Sequence, residues 1–179
     1  MDSSPRAVVV IGVSGSGKTT VGRVLAERLG ADFADADDFH SSANIAKMRS
    51  GHPLTDEDRT PWLHAVGQRL ADSLADGRSV VMACSALRVR YRDILREYAP
   101  GAFFLLLDAD RRVLRERVAA RQGSFMPASL LDSQIATLEP LRVGEVGVRL
   151  DVAGPLEVTV SGALAALDSP PPSVGTTSP

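Results

Sequence analysis

Two short stretches concentrate the residue types that handle phosphate and protons. "GVSGSGKT", Gly12 to Thr19, fits the spacing G-x-x-x-x-G-K-[ST], in which glycines let the backbone curl until successive N–H groups point into one hollow. A helix opening at Lys18 would add its positive dipole end, so the stretch reads as a cradle for anionic phosphates. Lys18 would reach the outer phosphates of a nucleotide and Thr19 would offer a hydroxyl to Mg²⁺, with Gly12, Ser14, Gly15, Ser16, Gly17 and Thr20 completing the nucleotide-binding set. Shortly afterwards "DADDFH", Asp35 to His40, packs three carboxylates and an imidazole into six residues. A metal cage, a proton-transfer pair and a charged loop are all open to such a cluster.

The elements that must position these groups follow a regular grammar. "AVVVIG" (Ala7 to Gly12) is a continuous apolar, β-branched run, the pattern of a strand buried on both faces of a parallel sheet. Lys18 to Leu29 carries a helical apolar stripe at Val21, Val24, Leu25 and Leu29, and Gly30 supplies the stop. Further strands are predicted at Ala31 to Asp35, Ser79 to Cys84, Ala102 to Leu107 and Val146 to Val152, separated by segments of helical spacing. The alternation predicts an α/β fold of about five parallel strands with helices on both faces. Asp35 to Asp38 would then lie at the carboxyl end of a strand, where open α/β sheets place ligands. On strand alternation Asp35 and Asp37 would point the same way, toward the phosphate loop, and Asp38 elsewhere.

Composition narrows the function classes. The chain has 179 residues, 44% hydrophobic and 23% charged, with net charge -2, which fits one globular domain of residues 1–168 and favours neither disorder nor a general nucleic-acid binder. The apolar run near the start is too short for a signal sequence or a membrane span, so a cytoplasmic location is expected. A single cysteine, Cys84, excludes an internal disulfide and a cysteine-rich zinc site. A small buried thiol at a strand end is the reading preferred over a nucleophile. Residues 169–179, "SPPPSVGTTSP", predict a disordered tail after a final helix near Pro155 to Leu167.

A phosphate loop alone does not separate GTPase switches, ATPases and small-molecule kinases. No Asn-Lys-x-Asp reads a guanine base here, and "DVAG" (Asp151 to Gly154) reads as a strand end and turn. Asp108, after "FFLLL", resembles the metal-holding aspartate of many ATPases, yet Asp108 or Asp110 capping the helix at "RRVLRERVAAR" is preferred. Arg117 and Arg121 share a face of that helix, one turn apart. "RQGSFMP" follows, and a small lid at about 121–128 could fold these arginines over a triphosphate to stabilise the transferring phosphoryl group.

Taken together, "GVSGSGKTT", "DADDFH", "NIAKMRSGHPLTDEDRTPWL", "CSALRVRYRDILR" and "SQIATLEPL" resemble gluconokinase of the short, phosphate-loop type, a relative of shikimate and nucleoside monophosphate kinases. The matching blocks run from about Val8 to Leu141. The resemblance implies a P-loop kinase fold and ATP-dependent phosphorylation of D-gluconate on its 6-hydroxyl with Mg²⁺, in a homodimer. A kinase with another small acceptor is the alternative, and a nucleotide-dependent switch a weaker one. Two departures stand out: the family often has His at the position of Ser124, and Pro at that of Ser41.

In-line transfer to a hydroxyl needs a proton acceptor, a metal and a clamp. By resemblance to the related kinases Asp35 would serve Mg²⁺ through water, and Asp37 would orient and deprotonate the hydroxyl. Lys18, Asp37 and Arg121 form the expected catalytic set. For the gluconate carboxylate Arg59 is the leading planar fork, with pairing to Asp56 or Glu57 as its alternative. Trp62 would wall the pocket, and Pro61 would suit a helix first turn. Lys47 and Arg49 lie in the segment that related kinases use to enclose the acceptor. Ser85 and Arg88 follow the third strand. His40 could bond a gluconate hydroxyl or be structural.

Overall fold

The alternating pattern folds into five parallel strands and, among the described residues, seven α-helices; this computed structural model describes residues 4–120 and 129–169. The sheet runs β2 (Asp32–Asp35), β3 (Val80–Ala83), β1 (Ala7–Ile11), β4 (Phe103–Asp108), β5 (Gly147–Asp151), each neighbouring pair parallel. The connections from β1 and β3 leave toward opposite sides of the sheet, so the loop after β1 opens at the crevice where such folds bind ligands.

Side chains alternate along β1 and face two helical layers. Ala7, Val9 and Ile11 join Val80, Met82, Phe104 and Leu106 against Trp62, Leu63, Val66 and Leu70 of α3 (Asp56–Ala75) and Tyr91 and Leu95 of α4 (Val89–Tyr98). Val8 and Val10, with Val81, Leu105 and Leu107, meet Val21, Leu25 and Ala26 of α1 (Lys18–Leu29) and Val160 and Ala163 of α7 (Leu156–Asp168). This is why the three central strands read as continuous apolar runs.

Two glycines of the phosphate loop are fixed by contact as well as by conformation. A Cβ on Gly12 (φ 150°) would lie 2.6 Å from the Leu107 carbonyl oxygen, and one on Gly15 (φ 81°) would lie 2.9 Å from that of Leu114 in α5 (Arg111–Ala120). The loop is therefore pressed between β4 and α5.

Helix α3 starts a turn earlier than Pro61 implies. Thr55 accepts the Asp58 N–H and Asp58 accepts the Thr55 N–H, a reciprocal cap that satisfies two helix-end donors and sets the start at Asp56. Pro61 consequently sits inside the helix. The expected lid, with Arg121 and Ser124, and tail residues 170–179 lie outside the described residues. No described helix is long and apolar enough to cross a membrane.

Candidate active site

The phosphate loop is organised around one peptide unit. The Val13 carbonyl accepts from Lys18 Nζ at 3.1 Å and from the Ser16 N–H at 3.2 Å. The N–H at the other end of the same peptide, on Ser14, donates to Gln134 Oε1 of α6 (Ser129–Thr137) at 2.6 Å. Ser16 Oγ is buried with no hydrogen-bond partner among the described residues. A buried hydroxyl left so in a phosphate-loop sequence suits a site completed by an anionic ligand.

Asp35 ends β2, and its carboxylate does two things. Oδ2 accepts from Thr19 Oγ1 at 2.8 Å, and Oδ1 accepts the Asp37 N–H at 3.1 Å. The second bond caps a 3₁₀ turn over Ala36–Phe39. Strand alternation therefore stops at Asp35, and the expectation that it aligns Asp35 with Asp37 is corrected: a capping bond competes locally with the strand. Asp37 nonetheless reaches the mouth of a cavity beside the loop, and Asp38 is exposed.

That cavity, about 170 Å³, is lined by Asp37, His40, Arg59, Ser85, Arg88 and Gln134 among others. It falls below the ~300–1,000 Å³ of drug-sized sites, which favours a small acceptor. His40 stacks on Trp62, ring centroids 4.3 Å apart and 13° from parallel. Its Nε2 is 4.0 Å from Asp37 Oδ1, and its buried Nδ1 has no hydrogen-bond partner among the described residues. Burial, aided by the Arg59 charge, lowers the His40 pKa to about 4, so the ring is neutral at neutral pH.

Trp62 does not wall the cavity. It is buried behind His40 with Nε1 donating to the Ala36 carbonyl at 2.6 Å, so its large ring supports the 3₁₀ turn and the imidazole. Arg59 lines the cavity with its guanidinium 5.7 Å from the Tyr91 ring centroid, and burial pushes its pKa down. It makes no ion pair among the described residues; Asp56, offered as its alternative partner, is taken by Arg88, Arg90 and the Tyr91 hydroxyl. Lys47 and Arg49 belong to α2 (Ser42–Arg49) but do not line the cavity. Lys47 Nζ is 2.6 Å from Asp58 Oδ2, an ion pair that holds the Asp58 carboxyl down at about 2, while Met48 of the same helix faces inward.

A second cavity, about 270 Å³, opens on the far side of the loop between Gly15, Ser16, Gly17, Thr20, Arg117, Val152 and Thr159. Arg117, expected on the nucleotide side, lines this cavity, and its Nη2 donates to the Val152 carbonyl just beyond β5 at 2.6 Å. Asp110 accepts the Arg112 N–H at 2.8 Å and caps α5, whereas Asp108 pairs with Arg149. Cys84 is fully buried, and desolvation pushes its thiol pKa well up, the opposite of an activated nucleophile.

Three features escape sequence reading. Gln134 reaches the loop from 120 residues away. Asp56 gathers Arg88, Arg90 and Tyr91 along the cavity wall. Arg92 is fully buried, paired with Glu145 through Nε at 2.7 Å and Nη2 at 3.0 Å, and it donates to the carbonyls of Ala86, Leu87, Glu139 and Pro140. "SQIATLEPL" is the part of the sequence that carried a signal for this region.

A phosphate loop beside a small acceptor cavity, on a five-stranded parallel sheet, defines a P-loop kinase. The family model described as an AAA domain matches residues 8–141. The chain is 44% identical over 151 residues to gluconokinase of Arabidopsis thaliana, covering 77% of this chain and 80% of that protein. It is 48% identical over 139 residues to gluconokinase of Gluconobacter oxydans, covering 78% of each. A solved gluconokinase from Sinorhizobium meliloti 1021 has a TM-score of 0.83 at 50% identity, covering 92% of both chains. APS kinase of Mycobacterium tuberculosis, with a TM-score of 0.65 at 16% identity over 92% of this chain and 99% of that one, shares the fold. The chain belongs to the gluconokinase family.

Proposed function

We infer that the chain transfers the γ-phosphoryl group of ATP to the 6-hydroxyl of D-gluconate, giving 6-phosphogluconate and ADP. The observation that carries this reading is Arg59, a half-buried guanidinium without an ion-pair partner among the described residues, in the same small cavity as Asp37. A sugar acid has the two groups such a cavity complements: a carboxylate for the planar fork and hydroxyls for the carboxylate.

In the reaction Asp37 accepts the proton of the attacking hydroxyl. The His40 ring beside it, Nε2 4.0 Å from Asp37 Oδ1, is neutral at neutral pH and so adds no positive charge next to the proton acceptor. Lys18 leaves the Val13 carbonyl for the phosphate oxygens, and Arg59 holds the acid end so that the hydroxyl approaches in line. Ser85 and Arg88 line the same cavity and complete the acceptor contacts.

Thr19 Oγ1 and Asp35, 2.8 Å apart, form the hard-oxygen pair suited to Mg²⁺, and no group of three or more His, Cys, Asp or Glu among the described residues competes for the role. Such a set matches an ion that keeps several waters and takes most remaining ligands from phosphate. Bound there, Mg²⁺ supplies neutralisation of phosphate charge. The family resemblance also supports a homodimer, and the buried thiol of Cys84 fits a cytoplasmic, reducing compartment. The partner so inferred is a small molecule, the sugar acid itself.

A coupled ADP-release assay tests the activity. Saturable turnover with D-gluconate well above that with shikimate or nucleoside monophosphates is expected; equal rates with all of them would reject gluconate as the acceptor.

A further inference from the structure

The Val13–Ser14 peptide is held at both ends by side chains from two helices, Lys18 of α1 and Gln134 of α6. Its carbonyl carries the Lys18 ammonium at 3.1 Å, and its N–H is taken by Gln134 Oε1 at 2.6 Å. Gln134 is 8% exposed and also lines the acceptor cavity. A peptide unit is rigid, so rotation at one end moves the other. Whatever fixes the Ser14 N–H therefore fixes where the carbonyl that holds Lys18 points.

The helix carrying Gln134 is itself anchored. Leu131 packs against Val13, Leu87, Leu114 and Val118. Just beyond α6 the Glu139 N–H donates to the Leu87 carbonyl at 2.8 Å, and Arg92 binds the carbonyls of Glu139 and Pro140. The carboxamide is thus presented by a wall shared with the acceptor cavity, and its bond to Ser14 is buried, where an oriented dipole acts strongly.

We propose that Gln134 is a positioning residue: through the Val13–Ser14 peptide it sets the resting place of Lys18 and links the acceptor-side wall to the phosphate loop. The inference deepens the kinase reading above and rests on it. A side-chain acceptor oxygen at this place satisfies the Ser14 N–H. It leaves Lys18 held by a neutral carbonyl, from which the ammonium can pass to phosphate oxygens. The chemistry it serves is the same γ-phosphoryl transfer.

Gln134→Met and Gln134→Glu separate this role from simple packing. Methionine keeps the length and bulk but removes the strong acceptor; glutamate keeps an acceptor oxygen for the Ser14 N–H. Expected for Gln134→Met is a kcat at least ten-fold below the parent at saturating ATP and D-gluconate, with the KM for gluconate within about three-fold. Gln134→Glu should recover most of that loss. Melting temperatures recorded for both variants show that the comparison is between folded proteins, and if Gln134→Met does not fold, Gln134→Glu against Gln134→Leu serves in its place. ATP hydrolysis without acceptor gives a second arm independent of gluconate: it should fall in parallel in Gln134→Met. If the parent shows no gluconate turnover, the choice of acceptor fails, and this second arm still decides the role of Gln134. A Gln134→Met rate within two-fold of the parent, or a Gln134→Glu rate no better than Gln134→Met, would overturn the proposal.

Discussion

Replacing Glu145 by glutamine keeps the shape of the side chain and removes one buried charge. The Arg92 guanidinium it faces is fully buried, and the Glu145 side chain is likewise 0% exposed. Burial alone would raise the Glu145 pKa, but the hydrogen bonds from Arg92 and from the Arg142 N–H outweigh it and leave the carboxyl below its usual value. Breaking one side of a buried pair costs ~3–5 kcal/mol because the remaining charge is left uncompensated. Glutamine retains one acceptor oxygen, so Glu145→Gln should lie near the lower end, about 3 kcal/mol. For a chain of this size that is a drop of ~6–12 °C in melting temperature. The double variant Arg92→Met, Glu145→Leu supplies the sharper comparison. Apolar replacement of both partners is often neutral, but here it strips the donor from four carbonyls, those of Ala86, Leu87, Glu139 and Pro140. It should remain destabilised by at least ~2 kcal/mol. Urea denaturation followed by circular dichroism measures both. A loss below about 1 kcal/mol in Glu145→Gln, or parent-like stability in the double variant, would refute the reasoning.

Asp37→Asn should retain ATP binding within about three-fold and lose roughly 10²–10⁴ of kcat, the usual contribution of a general base, as read by ADP release and isothermal titration. Thr19→Val removes the hydroxyl that meets Asp35, so the Mg²⁺ concentration for half-maximal turnover should rise by about ten-fold, with the fold unchanged by circular dichroism. His40 has a folded pKa of about 4 against 6.5 when exposed, so the folded protein binds fewer protons between those values. Its contribution is present above pH 6.5, is lost as pH falls through 4, and reaches at most ~3 kcal/mol. In His40→Gln the stability-versus-pH curve should flatten across that window; an unchanged slope would show that His40 does not set it.

Much of the fold was legible because period and punctuation agree. The five strands β1 to β5 were located within a residue or so at each end, and α1 ended at the glycine expected to stop it. The phosphate loop was legible because its glycines serve backbone geometry, which sequence encodes locally. Arg59 stood out because it follows the acidic turn "TDEDR", and it lines the cavity that holds Asp37. The failures share a cause. Trp62 and Lys47 were expected to face the acceptor, but each found a nearer partner, the Ala36 carbonyl and Asp58. Which partner a long side chain takes depends on tertiary neighbours, and spacing does not encode that. Asp37 was placed by strand period, which a single capping bond from Asp35 interrupts. Gln134 and Glu145 meet partners 120 and 53 residues away, distances at which no local pattern carries information.

The account rests on Arg59 as the receptor for an acid. Its most direct measurement is kcat/KM for D-gluconate and for D-glucitol, which carries a hydroxymethyl group in place of the carboxylate, in the parent and in Arg59→Met. A charge-assisted pair at this half-buried guanidinium predicts a preference for gluconate of about 10–100-fold that collapses toward unity in the variant. A preference that survives the loss of Arg59 would contradict the account.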